Sequence, residues 1–294
     1  MAVSASDTGA LSATLAQAMP VAKLVLGKPV EEVVTLIPRV FNLCRGAQEA
    51  AAKLAFGLPL DSDVRQRLAQ DFIRDHLVRL GLLLPRHFGL PTLPVAQGVV
   101  GVLPPQMPET EADFSLYLRQ TEGVAPMLRA LDAAFQSGEA VADLPYIDDL
   151  RVVQANACEN SVAARHGTHP VMQHIAETRG RGPLWRVFAR MLDLAACSRG
   201  EVPAPKRLDD GWVVVPASRG AYAMRACVRE GIVTQFERIT PTDHMMAAGG
   251  IMAQSLASLP AASRHLATLL VDVLDPCSPV TLHGGAKGGG IANA

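Results

Sequence analysis

The sequence lacks most of the local signatures that announce chemistry. It has no Walker loop, no G-x-S-x-G, no H-E-x-x-H and no C-x-x-C. Phosphate cradles, nucleophile elbows and paired zinc ligands are therefore missing, and cofactor-free hydrolase or kinase activity has little to rest on. It also lacks an excess of either charge. The net charge is −1 over 294 residues, with 27 basic and 28 acidic side chains, so there is no polycationic surface to attract nucleic acid. A strongly acidic partner gains nothing either. Long apolar runs are missing as well: the most hydrophobic stretch, "MMAAGGIMAQSLASLPAA", is broken by Gly, Gln and Ser, which excludes membrane insertion as an expectation. The opening "MAVSASDTGALSATLAQAMP" has no basic region before its apolar residues and reads as a poor secretory signal. The five cysteines, Cys44, Cys158, Cys197, Cys227 and Cys277, are odd in number and far apart, which suits a reducing compartment rather than a disulfide framework. A cytoplasmic location follows as the expectation, and no internal repeat is visible.

What is present is enough apolar material, 49% of residues, to bury a substantial core. "PVEEVVTL", from Pro29 to Leu36, opens a helix with two glutamates at its positive end, and Pro38 should interrupt it. In "LPLDSDVRQRLAQDFIRDHLVRLGLLLP", Val64, Leu68, Phe72, Ile73, Leu77 and Leu80 recur at helical spacing; Asp61 or Ser62 is the expected cap and Pro85 the expected stop. Residues 91 to 109 are rich in Pro and Gly and read as an ordered connection. Glu111 to Phe135 reads as a helix bent at Pro126, and "GPLWRVFARMLDLAACSRG" as a helix ending near Gly200. From Gly211, β-rich runs around a short "REG" turn predict an antiparallel sheet of two or three strands. Helix returns after "PTDHMM" and again in "SRHLATLLVDVLD", which ends at Pro276. The fold class expected is mainly α with a small antiparallel β-sheet: residues 1–20 a flexible N-terminus, 21–283 a single domain, and 284–294 a flexible Gly-rich tail.

A few residues can carry chemistry. Cys277 lies in a turn braced by Pro276 and Pro279, with His283 six residues on; a rigid turn fixes a thiolate, but a cysteine after a proline is also ordinary packing. Cys44 has Arg45 and Arg39 nearby, and cations favour the thiolate that binds soft metals. Alone, it reads better as a small apolar residue. "CENSVAARHGTHPVMQH" gathers Cys158, His166, His169 and His174, yet its spacing fits no closed zinc pattern. Arg219, before a glycine in "PASRGAY", can make forked hydrogen bonds to an anionic group or simply pair with a carboxylate. His76 reads as a satisfied core histidine.

In order along the chain, these signals resemble the nickel-binding large subunit of nickel-iron hydrogenases. "RVFNLCRGAQ" has the frame of that family's R-x-C-x-x-C-x-x-x-H, and "DPCSPVTLH" that of its C-terminal D-P-C-x-x-C-x-x-H. "PASRGAYAMRACVREGIVTQFERITPTD" looks like the family's Pro-Arg-Gly sheet and Pro-Ser/Thr turn, and "RDHLVRLGLLLPRHFGLP" like a histidine-bearing helix. The resemblance spans about Leu24 to His283 and implies a shortened large-subunit-like fold. It also implies roles. Four cysteines hold nickel in the family, the second of each pair bridging to iron; here Phe41 and Val280 replace one member of each pair, and Gln48 replaces the histidine. Two thiolates are too few for the four-thiolate nickel site, so nickel and hydrogen turnover are not expected. The iron side is retained: Cys44 and Cys277 as metal ligands, with His283 at the family's C-terminal position, and Arg219 and Thr242 as hydrogen-bond donors to the two cyanides of an Fe(CN)2(CO) unit.

This pattern is similar to the HupK or HoxV type of hydrogenase maturation protein. The implied role is a non-enzymatic scaffold that binds the iron unit transiently and delivers it to the apo large subunit, with other maturation proteins as partners. The alternative is a metal-free interaction protein or chaperone that mimics the large subunit. With Val280 and Phe41 in place, the Gly-rich tail is expected to stay attached.

Overall fold

The computed structural model describes residues 10–16, 20–40 and 44–284, with the backbone of residues 291–292. Phe41, most of the Gly-rich tail and the first nine residues lie outside them. The chain opens with strand β1 (Ser12–Leu15), followed by helices α1 (Val21–Val25), α2 (Val30–Val40), α3 (Arg45–Ala55) and α4 (Val64–Val78). Pro38 does not interrupt α2. It lies inside the last turn, where a missing N–H and a clash with the carbonyl four residues back disturb only the helix end. Neither expected cap acts on α4: Asp63 precedes it without a side-chain cap bond, while the Asp61 carboxylate is taken by Lys53 Nζ at 2.8 Å and by Arg67.

Nor does the helix stop before Pro85. α4 widens into a π turn over Arg79–Leu83 and runs on as α5 (Leu84–Arg86). The Gly81 carbonyl, which the proline cannot serve, accepts instead from Leu93 N–H at 2.8 Å. Thus the wide turn accommodates the proline and swings Arg79 inward, where it is 5% exposed.

A 3₁₀ segment over Val95–Gly101 fills the Pro-rich connection. The next stretch is two helices rather than one bent helix: α6 (Glu111–Tyr117), started by a Thr110–Asp113 capping box, and α7 (Ala125–Ala134), with Pro126 in its first turn. Gly123, at φ 58°, makes the break, and a Cβ there would lie 2.8 Å from the Val102 carbonyl oxygen. After α8 (Ala163–His166) and α9 (Pro170–Thr178), helix α10 (Pro183–Ser198) forms the axis of the molecule. It is buried on every side from Pro183 to Cys197, as a central helix should be. Its charged residues Arg186, Arg190 and Asp193, at spacings of four and three, must then find partners inside.

The expected sheet follows: β2 (Lys206–Arg207), β3 (Val213–Ala217), β4 (Gly220–Arg229) and β5 (Ile232–Ile239), antiparallel in chain order. The short β2 adds a fourth strand at the edge. Glu230 and Gly231, both at positive φ, make the tight β4–β5 turn read from "REG". Alternate residues serve the two faces: Val213, Val215, Tyr222 and Met224 pack on α1–α4, while Trp212, Val214 and Ala223 join Val152 in a smaller cluster behind. The main core gathers α6, α7, α9 and α10 with α11 (Pro241–Met246), α12 (Ile251–Ala257) and α13 (Ala267–Leu274).

The N-terminal stretch departs from its expected flexibility at residues 12–15. β1 pairs with β6 (Val280–His283), which also pairs with β7 (Ile291–Ala292) on its other side. Leu11, Ala13 and Leu15 alternate onto the main core, and that burial holds the strand in place.

Candidate functional site

Arg219 marks the centre of the site. Register pairing of Ala217 with Gly220 leaves Ser218 and Arg219 as the two-residue tip of the β3–β4 hairpin. Asn160 clasps that tip: its Nδ2 donates to the Ala221 carbonyl at 2.8 Å, and its Oδ1 accepts from Ala221 N–H at 2.7 Å. Gly220 is required there, because a Cβ would sit 2.7 Å from the Asn160 carbonyl oxygen at a φ of 145°. The clasp turns the guanidinium inward, where it is 5% exposed. Its Nε meets Asp275 Oδ2 at 3.0 Å and the Asp275 carbonyl at 3.2 Å, and its Nη2 meets Asp75 Oδ1 at 3.2 Å. The third arm, Nη1, points at Cys44 Sγ, 3.8 Å away.

The carboxylates are shared. Asp275 also takes Arg190 Nη2 at 2.8 Å and Arg79, and Asp75 lies 3.8 Å from Arg190 Nη1. Four elements far apart in sequence, α4 with its π turn, α10, the hairpin and the end of α13, thus converge on one buried ion network. Burial works against ionisation of Asp75, but Arg219 and Arg190 outweigh it and hold its carboxyl below the usual range. Burial likewise opposes the Arg219 charge, and Asp275 and Asp75 more than restore it. Arg79 shifts the other way, lowered chiefly by burial.

Cys44 lies at the head of α3 as its N-cap residue. Burial pushes its thiol up to about 11, against the pull of the Arg219 charge, and Asp75 and Cys277 add to the rise. Arg219 links the two cysteines, since it reaches Cys44 Sγ with Nη1 and binds both the carboxylate and the carbonyl of Asp275, two residues before Cys277. Cys277 follows α13 through Asp275, which takes a left-handed conformation at φ 56°, and its N–H donates to Thr242 Oγ1 at 2.9 Å. Thr242, in the first turn of α11, is 3% exposed. Among the described residues its own hydroxyl hydrogen meets no acceptor, so it remains a donor available to a ligand. Cys44, Arg219, Cys277 and Thr242 are therefore brought together.

His283 is placed elsewhere. It ends β6, and its Nε2 bonds Thr14 Oγ1 of β1 at 2.8 Å. Among the described residues no group of three His, Cys, Asp or Glu side chains is disposed to hold a metal ion. The histidines of "CENSVAARHGTHPVMQH" disperse: His166 Nε2 meets Asp193 Oδ1 at 2.9 Å, His169 caps α9, and His174 lies 3.4 Å from Glu111. Cys158 is a buried thiol pushed up to about 12 by desolvation. A cleft of about 1160 Å³ walled by residues such as Leu93, Val99, Met107 and Met127 includes none of the site residues.

Behind the site, Asp193 of α10 accepts from His76 Nε2 at 2.8 Å and lies 3.3 Å from Arg165 Nε. His76, fully buried, has its Nδ1 3.5 Å from Arg190 Nη1, so Asp193 steadies the network through His76. Asp75, Arg79, Asn160, Arg190, Asp193 and Asp275 were not singled out by the sequence. For Arg190 and Asp193 a signal was present: charged residues at spacings of four and three within the otherwise apolar α10.

No protein-family model matches the chain. The hydrogenase expression/formation protein HupK of Rhodobacter capsulatus is 42% identical over 285 residues, covering 93% of this chain and 92% of that protein. The Ni-Fe-Se hydrogenase of Desulfovibrio vulgaris Hildenborough in its reduced state is similar in structure, with a TM-score of 0.59 and 11% identity over 91% of this chain and 95% of that one. An NAD+-reducing nickel-iron hydrogenase gives a TM-score of 0.53 and 13% identity, over 89% and 90%. At such identities these structures establish a large-subunit-like fold and nothing finer.

Proposed function

The chain belongs to the family of the hydrogenase expression/formation protein HupK, and from that premise we propose that it serves nickel-iron hydrogenase formation as a non-enzymatic scaffold. Its cargo is the Fe(CN)2(CO) unit, received from other maturation proteins, held between Cys44 and Cys277, and passed to the apo large subunit. The observation that carries this reading is the convergence of two thiols with two buried donors: Arg219 Nη1 lies 3.8 Å from Cys44 Sγ, and Thr242 accepts from the Cys277 amide while its hydroxyl hydrogen meets no acceptor among the described residues. Cyanide nitrogens are strong acceptors and need such donors once they leave water.

The donor set supports iron without nickel. Val280, at the position of a family ligand, is 1% exposed within the main core and has no lone pair to offer. A Cys44 thiol that ionises near 11 must lose its proton before it binds metal, which weakens the grip at neutral pH. A weak grip suits a carrier, since release sets its turnover. No helix among the described residues is long and apolar enough to cross a membrane.

Infrared spectra of the protein, purified without oxygen from cells making the full maturation set, test this. Cyanide and carbonyl stretches that vanish in Cys44→Ala support the scaffold, and a spectrum without them in intact protein removes it. The raised Cys44 thiol also favours a second reading, a metal-free interaction protein that mimics the large subunit. In that case Cys44→Ala and Cys277→Ala both support full hydrogenase maturation.

A further inference from the structure

The network around Cys44 is not electrically balanced. Arg79, Arg190 and Arg219 share two carboxylates, Asp75 and Asp275. Neighbouring charges are matched among themselves, buried Arg186 with Glu159 and part-buried Arg165 with Asp193. All three guanidiniums of the network are 5% exposed, so one positive charge is left over where water screens it poorly. The first turn of α3 adds partial positive charge beside the same sulfur. Asp71, which accepts from Gly46 N–H there at 3.0 Å, is itself paired with Arg74.

We propose that this surplus makes the site select its ligand by charge: it takes a metal already carrying anionic ligands and refuses a bare divalent cation. Arg219 touches the ligand; Arg79 and Arg190 act through the shared carboxylates as positioning residues that also set the charge. A divalent ion held by two thiolates is neutral and leaves the surplus standing. The same ion with two further anions is a dianion and finds its partner in the guanidiniums. The identity of the ligand rests on the scaffold reading, but the charge selection is measurable without it.

The test compares two alkylating reagents of similar size, anionic iodoacetate and neutral iodoacetamide, with the Cys44 peptide followed by mass spectrometry and N-acetylcysteinamide as the free reference. The iodoacetate to iodoacetamide rate ratio at Cys44 is expected to exceed the reference roughly tenfold. Arg190→Gln should lower the ratio several-fold and Arg190→Lys restore it, a pattern that a merely structural role does not produce. A wild-type ratio equal to that of the reference overturns the inference even if no variant folds, as does an equal loss in both variants. The two readings fail separately. Cyanide stretches together with a flat ratio leave the scaffold standing and remove charge selection, whereas a raised ratio with an empty infrared spectrum does the reverse.

Discussion

Cys44 spends neutral pH as a thiol, because burial pushes its ionisation up to about 11 while the Arg219 guanidinium recovers only part of that shift. At neutral pH the thiol form therefore predominates. Since only the thiolate attacks, alkylation of Cys44 by iodoacetamide should rise about tenfold per pH unit and reach half its plateau near 11. A midpoint near 8.5, the ordinary value, contradicts this burial. Asp193 moves oppositely: desolvation favours its neutral form, but Arg165, His166 and His76 prevail and hold it well below the usual carboxylate range. A depressed folded value contributes stability that is complete above the unfolded value, about pH 4, and fades as pH falls through the folded one. Asp193→Asn should therefore destabilise the protein at neutral pH, with the gap from wild type closing below about pH 4. Urea denaturation between pH 2.5 and 6 reads this directly, and a gap of constant size would contradict it.

Among the elements, the β3–β4 hairpin determines where the site is. Its tip is set by backbone geometry at Gly220 and by the Asn160 clasp, so Gly220→Ala should cost about 2–4 kcal/mol, from strain together with a clash against backbone. Gly81→Ala is expected to cost less, about 1–2 kcal/mol, because the added Cβ meets Val95 Cγ1, the end of a side chain. Equal losses in the two variants, measured by denaturant midpoint, would refute the distinction. These elements also show what a sequence discloses. The hairpin turn at Glu230 and Gly231 and the heart of α4 were legible, since each is decided by residues within a few positions. The continuation of helix past Pro85 was not, because the compensating bond at Gly81 comes from Leu93, outside the helix. For the site, the motif frames brought Cys44, Arg219, Thr242 and Cys277 to notice, whereas the pairing of Arg190 with Asp275, 85 positions apart, depends on how α10 threads the core. His283 shows the converse: six residues from Cys277 in sequence, it bonds Thr14 instead.

At the scale of the whole molecule, strand β1 reaches across to strand β6, which begins three residues after Cys277. Cys277 belongs to a short connection fixed at Thr242 on one side and at β6 on the other, and β6 is held by β1 through Ser12 to Leu15. Ala16 N–H adds a bond to the Pro279 carbonyl at 2.9 Å, two residues from Cys277. The Cys44 half of the site has no such dependence, because α3 and α4 pack on the four-stranded sheet. The two thiols thus sit on supports of unequal strength, and the weaker one relies on a four-residue strand. Deleting residues 1–16 should cost about 2–3 kcal/mol for the lost cover of Leu11, Ala13 and Leu15 and speed amide exchange across Val280–His283. Alkylation of Cys277 should accelerate several-fold while that of Cys44 stays at the wild-type rate. Equal acceleration of both thiols would mean that the deletion loosens the whole fold, and the N-terminal strand would then lose its role as the clamp on Cys277.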